Sequence, residues 1–295
     1  MSVSRKFKNL VFEGGGVKGI AYVGALQVLE QEEVLEDIEN VAGTSAGAIT
    51  AALVALNYTP KEIHDIIIDM NFKKFEDGWC PFRLFTTYGL YKGDALLNWM
   101  KDKMERKNLD PNVTFEELAQ KGSYRDLKVF ATDLYTKSIQ EFSSLKSPKT
   151  RVAEAVRASM SIPLFFKSWK FTNQEPNDHI YVDGGVLFNF PIEIFKNLDE
   201  TLGFYLSNLT MKKPLDEFGN CHPKEYIKHL FETLLKSQNI AFENNRNEVY
   251  ETVIINDLNV AATDFGLSLE MKNKLIQQGI IATKKYFNPN PNALV

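Results

Sequence analysis

The sequence predicts an α/β fold with a mostly parallel central sheet and helices on both faces of that sheet. Two segments indicate this fold, residues 8–29 and 38–56, and each consists of a short apolar strand, a glycine-rich turn and a long apolar helix. Further strand-like and helical patterns alternate toward the C terminus. Alternation of this kind is typical of parallel sheets, because parallel neighbouring strands need a long crossover connection.

The first strand–turn–helix unit begins with a predicted strand at residues 8–12. The run EGGGVKG follows at residues 13–19, and residues 17–29 are apolar on most sides. A helix that is apolar nearly all round is buried on most sides. The glycines therefore stand between a buried strand and a buried helix, where the backbone approaches something closely.

The spacing of Gly14, Gly16 and Gly19 matches the dinucleotide-binding pattern GxGxxG. That fold also needs an acidic side chain at the end of its second strand to hold the ribose. Here Glu39 lies near the start of the second strand, which argues against a dinucleotide site. A phosphate-binding loop of the Walker type is excluded because Ile20 stands where that loop requires lysine.

The second unit contains a nucleophile elbow. A predicted strand at residues 38–42 leads into Gly43-Thr44-Ser45-Ala46-Gly47, and a predicted buried helix follows at residues 46–56. The pattern GxSxG holds a serine on a sharp strand-to-helix turn, so its flanking residues must be small. The helix N terminus also favours negative charge near the serine. Ser45 is therefore a candidate nucleophile.

The rest of the chain continues the alternation, and no internal repeat interrupts it. The predicted elements are an amphipathic helix at 60–70, strands at 127–131 and around Phe142, a helix at 152–160, a strand at 180–182, a strand at 202–206, a helix at 226–240 and a strand at 253–255. One domain at residues 1–288 with a flexible tail at 289–295 is the simplest organisation.

Composition narrows the function classes. The chain of 295 residues has a net charge of -4, which gives no basic face for nucleic acid. Its longest apolar run, residues 46–56, is far shorter than the about 20 residues of a membrane span. Cys80 and Cys221 are too few for a disulfide framework or a zinc site. The N terminus lacks the apolar core of an export signal, which predicts a cytoplasmic protein.

A serine nucleophile needs a proton acceptor, and the histidines are poor candidates. His179 lies four strand residues from Asp183, roughly 13 Å away, so Asp183 does not orient it. The other three are predicted to be surface or packing residues: His64, His222 and His229. Asp183 follows a short apolar strand and precedes Gly184-Gly185, so its carboxylate should emerge at a tight turn.

Four motifs in this order resemble the patatin-like phospholipases and the related calcium-independent and cytosolic phospholipases. They are the glycine loop GGGVKG, the elbow GTSAG, the segment ASMSIPLFF and the DGG turn. The resemblance extends from about residue 8 to about residue 287. It implies the three-layer patatin-like fold and a serine–aspartate dyad without histidine, which agrees with the elimination above.

Carried over to this sequence, the resemblance implies Ser45 as nucleophile and Asp183 as proton acceptor. It implies that backbone N–H groups form an oxyanion hole at Gly14, Gly15, Gly16 and Ala46. Residues that support these motifs are Lys18, Gly19, Gly43, Gly47, Gly184 and Gly185. Whether burial raises the pKa of Asp183, or proximity compensates for an ordinary pKa, stays open at this point.

The implied activity is hydrolysis of ester bonds in glycerophospholipids, with no metal or organic cofactor. Two alternatives stay open: a neutral glyceride or lysophospholipid hydrolase with the same site, and a catalytically weak lipid-binding module that a protein partner activates. The expected partners are a lipid ester and, transiently, a membrane surface. A protein delivered by a secretion system that needs no signal peptide would show the same N terminus.

Three further features have two interpretations each. The aromatic-rich segment at residues 72–91 is either a lid or interfacial anchor, or an irregular loop packed on the core. Arg157 is expected to pair with a carboxylate in the core rather than with a phosphate. Lys18 either adds positive potential near the site or is a solvated lysine. Ser159, in the third motif, is assigned no chemical step.

Overall fold

The computed structural model describes residues 7–172, 179–207, 223–244 and 251–288. The strands are β1 Asn9–Phe12, β2 Asn40–Thr44, β3 Gly89–Tyr91, β4 Asp126–Asp133, β5 Ser138–Phe142, β6 Leu164–Phe166, β7 Tyr181–Asp183, β8 Thr201–Leu206 and β9 Thr252–Ile255. The helices are α1 Ala21–Gln31, α2 Ala46–Ala55, α3 Pro60–Asp69, α4 Arg83–Thr86, α5 Asp94–Glu105, α6 Phe115–Gln120, α7 Val152–Ser159, α8 Pro223–Asn244 and α9 Leu269–Phe287. The predicted tail at 289–295 and Cys221 lie outside the described residues.

The central sheet is mostly parallel, as the sequence predicts. Its strand order is β5-β4-β2-β1-β8-β9, and β7 also pairs with β4. Strands β1, β2, β4, β8 and β9 run parallel, whereas β5 and β7 are antiparallel to β4. The mixed α/β fold class is therefore confirmed.

The register on β4 determines what meets at the edge of the sheet. Strand β2 pairs with β4 up to Thr44 opposite Phe130. Strand β7 pairs with β4 from the next position, Asp183 opposite Ala131. Strand β5 occupies the other side of β4, so β7 lies directly beyond the end of β2. Ser45, the residue after β2, therefore lies next to Asp183, the last residue of β7.

Alternate residues of the parallel strands pack on opposite faces of the sheet. Leu10 and Phe12 belong to the main core, together with residues of α1, α2 and α9, whereas Val11 belongs to a second, smaller cluster. The segment 186–200 covers this second face with short 3-10 turns. Both faces of β1 are thus buried, which explains its uninterrupted apolar sequence.

A second, two-stranded parallel sheet of β3 and β6 was not predicted from the sequence. Arg157, which is fully buried in α7, joins it to the main body by donating to the carbonyl oxygens of Lys92, Gly93 and Lys167. The expectation that Arg157 pairs with a carboxylate is wrong, because backbone carbonyls and the Ser161 hydroxyl take its hydrogen bonds. Burial lowers the pKa of Arg157 to about 10.

The aromatic-rich segment 72–91 is not an irregular loop. It contains a 3-10 turn at Phe72–Phe75, the short helix α4 and strand β3. Within the described ranges, no helix is long and apolar enough to cross a bilayer.

Candidate active site

Ser45 lies at the sharp turn between β2 and α2. Its dihedral angles, φ 53° and ψ -125°, fall in a region that L-residues rarely occupy. Such a conformation costs on the order of 1–3 kcal/mol and persists only where the surroundings hold it. The glycines permit it, because a Cβ at Gly43 would lie 2.3 Å from the carbonyl oxygen of Gly47.

Ser159 holds the backbone of this turn. The N–H of Ser45 donates to Ser159 Oγ at 2.8 Å, and Ser159 Oγ donates to the carbonyl oxygen of Phe130 at 2.5 Å. All of these groups are buried. No chemical step is predicted for Ser159 from the sequence, and in the structure its hydroxyl supports the strained backbone of Ser45.

Asp183 meets Ser45 directly, as the register of β2 and β7 requires. Ser45 Oγ donates to Asp183 Oδ2 at 2.6 Å, and the N–H of Gly185 donates to Asp183 Oδ1 at 2.8 Å. Both side chains are fully buried. Met160 Sδ lies 3.6 Å from Ser45 Oγ. The two residues that the sequence proposes as nucleophile and acceptor are therefore in contact, with no group between them.

The environment of Asp183 makes it a weaker acid than usual. Burial raises the pKa of Asp183 from 3.8 to about 7, although the hydrogen bonds from Ser45 and Gly185 and the charge of Arg157 all lower it. Desolvation thus outweighs three interactions that favour the carboxylate. This answers the question that the sequence leaves open, since burial alone brings the pKa close to neutrality.

The glycine loop lies against the elbow. A Cβ at Gly14 would come within 3.1 Å of the Ser45 Cβ. The N–H of Gly14 donates to the carbonyl oxygen of Asn189 at 3.0 Å. In the described part of the chain the N–H groups of Gly15 and Gly16 have no acceptor, nor has that of Ala46 at the start of α2. Of the glycines predicted to line an oxyanion hole, Gly14 is therefore already engaged.

Gly16 cannot be replaced by a residue with a side chain. Its φ is +57°, and a Cβ there would lie 1.9 Å from the carbonyl oxygen of Ala262. That carbonyl accepts from the N–H of Val17 at 2.9 Å. The loop is thus pressed against the segment that follows β9.

A buried pair, Glu13 and Asn189, positions the glycine loop, and the sequence did not identify it. The Glu13 carboxylate accepts from the N–H of Leu206 at 2.6 Å and from Asn189 Nδ2 at 2.8 Å. Asn189 Nδ2 also donates to the carbonyl oxygen of Gly14 at 3.1 Å. Burial raises the pKa of Glu13 to about 8. The only sequence signal was an acidic residue at the end of an apolar strand.

Other candidate residues are engaged elsewhere. Lys18 Nζ lies 2.7 Å from Asp257 Oδ2, so it is an ion-pair partner rather than a solvated lysine. His179 Nδ1 lies 2.6 Å from Asp133 Oδ2, and its ring stacks on Tyr135. The prediction that Asp183 does not orient His179 is confirmed. Across residues 7–172, 179–207, 223–244 and 251–288, no cluster of His, Cys, Asp and Glu could hold a metal ion.

A narrow apolar cavity begins beside the elbow. Its volume is about 40 Å³. Gly16, Ala46 and Met160 line it near Ser45, and Phe72 and Phe75 of the aromatic segment line it as well. The cavity therefore lies between the residue that follows Ser45 and the start of the aromatic segment.

The model of the family described as patatin-like phospholipase matches residues 10–196, which include the glycine loop, the elbow and the Asp183 turn. The chain belongs to the patatin-like phospholipase family. Two relatives match this patatin-like chain over nearly its whole length. YqhO of Bacillus subtilis is 36% identical and covers 91% of this chain and 94% of its own, and R571 of Acanthamoeba polyphaga mimivirus is 28% identical over 95% and 93%.

Solved structures share the patatin-like fold at low identity. VipD from Legionella pneumophila has a TM-score of 0.66 and 19% identity, and the match covers 96% of this chain and 67% of VipD. The type III effector ExoU has a TM-score of 0.55 and 16% identity, with 96% and 53% covered. The chain thus spans about half the length of ExoU. Likeness at this identity concerns the fold.

Proposed function

We propose that this patatin-like protein is a lipid acyl hydrolase of the phospholipase A type that uses Ser45 and Asp183. The observation that supports it most is the 2.6 Å hydrogen bond from Ser45 Oγ to Asp183, whose pKa burial raises to about 7. A general base works best when its pKa lies near the operating pH. A relative from Invertebrate iridescent virus 6, 28% identical over 64% of this chain, is named a probable lipid hydrolase.

In the proposed reaction Ser45 Oγ attacks the ester carbonyl while Asp183 takes the hydroxyl proton. Asp183 then returns that proton to the departing alcohol, which leaves an acyl-enzyme. Water hydrolyses the acyl-enzyme with Asp183 again accepting a proton, and the serine is regenerated. One carboxyl group thus serves as base and as acid in turn, so a pKa near neutrality suits both steps.

The oxyanion is assigned to the N–H groups of Gly15, Gly16 and Ala46. These groups have no acceptor among the described residues, whereas the N–H of Gly14 donates to Asn189. Preformed donors of this kind stabilise developing charge because they need no reorganisation. The apolar cavity beside Ala46 supports an acyl chain as the group that is transferred. Its walls would have to move apart, since it now holds only about 40 Å³.

A fluorophosphonate probe tests the nucleophile. We expect the purified protein to be labelled at Ser45 and the Ser45→Ala variant to stay unlabelled. Ser159→Ala keeps the nucleophile but removes the acceptor of the Ser45 N–H, so slower labelling at Ser45, rather than none, is expected. Failure of the folded wild-type protein to react would instead support a lipid-binding module that a partner activates.

Positionally labelled phospholipids test the substrate class. We expect release of a fatty acid from a diacyl phospholipid and much slower release with Asp183→Asn. Preferential hydrolysis of triacylglycerol or lysophospholipid would replace the phospholipase assignment but keep the dyad. Equal rates for wild type and Asp183→Asn would remove Asp183 from the mechanism.

A further inference from the structure

Four large aromatic side chains face solvent within ten residues. Trp79, Phe82, Phe85 and Tyr88 expose 62%, 79%, 84% and 50% of their surface. Together they form what we call the aromatic surface, on α4 and its two flanking turns. Groups of large exposed apolar side chains mark interaction sites in soluble proteins.

The fold presents these side chains outward. Arg83, in α4, is only partly exposed, and its Nη1 donates to the carbonyl oxygens of Gly78 at 2.6 Å and Leu90 at 2.8 Å. These bonds fix the inner side of the short helix. Phe82 and Phe85 are three residues apart, so they lie on the same side of the helical turn. Their exposure is thus built into the local structure.

The charge around the aromatic surface is positive in an acidic protein. Residues 72–92 contain four basic and two acidic side chains, whereas the whole chain has a net charge of -4. One of the two acidic groups, Asp77, is turned inward, where its carboxylate accepts from the N–H groups of Gly93 and Ala95. Arg83 is likewise bonded to backbone carbonyls, so the remaining charges are those of Lys73, Lys74 and Lys92 against Glu76, and their sum is positive.

A cleft beside the aromatic surface is also lined by aromatic and basic side chains. It has a volume of about 470 Å³, and Phe82, Lys92 and Lys167 line it. Lys92 is exposed, and Lys167 lies 3.8 Å from Asp94, the acidic residue of that lining. Aromatic rings beside lysines are the combination that binds the boundary between acyl chains and anionic headgroups.

The inner side of the same segment reaches the active site. Phe72 and Phe75 line the same apolar cavity as Ala46 and Met160, which lie beside Ser45. The segment is thus continuous from the exposed aromatics to the cavity next to the nucleophile. A lipid surface that contacts the aromatics would lie next to the route of an acyl chain.

We propose that the aromatic surface docks the protein on an anionic lipid bilayer. The aromatic rings insert at the interface, and the lysines of residues 72–92 lie over the headgroups. The choice of a lipid surface over a protein partner rests on the excess of positive charge and on the continuity with the cavity. It also rests on the proposed function, which makes a bilayer lipid the substrate.

Vesicle binding tests the proposal in a Ser45→Ala background, so that the result does not depend on hydrolysis. The probes are vesicles of phosphatidylcholine alone and of phosphatidylcholine with phosphatidylglycerol, measured by co-sedimentation. We expect binding to the anionic vesicles and a loss of about tenfold in affinity for each phenylalanine in Phe82→Ser and Phe85→Ser. Lys92→Gln should cost about fivefold on anionic vesicles only.

Leu145→Ser is the matched control, because Leu145 is also 79% exposed. It lies near the opposite end of the parallel strands from Ser45, since the neighbouring Ser144 Oγ donates to Asp126 at the start of β4 whereas Ser45 follows the end of β2. We expect Leu145→Ser to bind vesicles like the parent. Thermal unfolding checks that each variant is folded, and Trp79→Ser provides an independent removal of an exposed ring.

Two results would overturn the docking proposal. One is that the Ser45→Ala protein, with its aromatic surface unchanged, binds neither kind of vesicle, which would indicate a protein partner for this surface. The other is an equal effect of Phe85→Ser and Leu145→Ser. Hydrolysis of a short soluble ester, measured with proteins that retain Ser45, tests the proposed function separately. Vesicle binding without hydrolysis of any ester would reject the enzyme and keep the docking surface.

Discussion

Replacing Asp183 by asparagine removes the ionisation of this side chain while preserving its shape. The asparagine oxygen can accept from the N–H of Gly185, as Asp183 Oδ1 does at 2.8 Å. Its amide nitrogen then faces Ser45 Oγ, which becomes the acceptor of the hydrogen bond that spans 2.6 Å in the wild type. The variant therefore separates the charge of Asp183 from its packing.

The effect of this substitution on the free energy of unfolding follows from the pKa of Asp183, which burial raises from 3.8 to about 7 in the folded protein. One unit corresponds to about 1.36 kcal/mol, so the folded state binds this proton more tightly than the unfolded state by as much as about 4 kcal/mol. Well below pH 3.8 the carboxyl is protonated in both states. As pH rises from about 4 to about 7, the unfolded state ionises first and the wild type loses stability.

Asp183→Asn has no carboxyl to ionise at this position, so it does not lose this stability. Its free energy of unfolding, relative to that of the wild type, must therefore increase with pH. We expect the two proteins to have similar free energies of unfolding near pH 4. At pH 8 we expect the variant to be more stable by as much as about 4 kcal/mol. Glu13, whose pKa burial raises to about 8, titrates in both proteins and cancels in the difference.

Urea unfolding between pH 4 and pH 8, followed by tryptophan fluorescence, measures the difference. In parallel, kcat/KM of the wild type on a soluble ester should rise with pH and reach half its maximum near pH 7, because Asp183 must be ionised to accept a proton. Asp183→Asn should lower kcat by at least about 100-fold. A stability difference that stays constant across this range would refute the raised pKa, as would half-maximal activity below pH 5.

Three further substitutions test the support of the site. Ser159→Ala leaves the N–H of Ser45 without its buried acceptor, so we expect a loss of about 1–3 kcal/mol in urea unfolding and a lower kcat with little change in KM. Arg157→Lys cannot reproduce the hydrogen bonds of the guanidinium, and thermal unfolding should show a lower Tm; an unchanged Tm would contradict the role of Arg157. Gly16→Ala should fail to accumulate as folded protein, because its Cβ would lie 1.9 Å from the Ala262 carbonyl.

Those parts of the fold that depend on local sequence were predicted well. The two strand–turn–helix units are found as β1 with α1 and β2 with α2, within a few residues of the predicted bounds. The spacing of the apolar residues and the glycines of the turn determine such a unit within about 20 residues. Helix α3 likewise begins at the predicted residue, Pro60, and Thr59 Oγ1 before it accepts from the N–H of Glu62.

Contacts between distant segments were not predictable from pattern. The sheet of β3 and β6 has only three residues in each strand, too short for a periodicity to register. Arg157 carries no signal of its own that distinguishes carbonyl from carboxylate partners. The Glu13–Asn189 pair joins residues 176 positions apart, and the local sequence around either residue does not indicate its partner.

The placement of β7 explains why a carboxylate can contact the serine without an intervening imidazole. Because β7 pairs with β4 directly after β2 stops, Asp183 meets the elbow at hydrogen-bond distance. A carboxylate in water would be a weak base at neutral pH, with a pKa near 4. The same sheet edge that brings Asp183 to Ser45 also buries it, and burial raises its pKa to about 7. The geometry and the basicity of the proposed dyad thus have one structural cause, and the stability lost between about pH 4 and about pH 7 is its consequence.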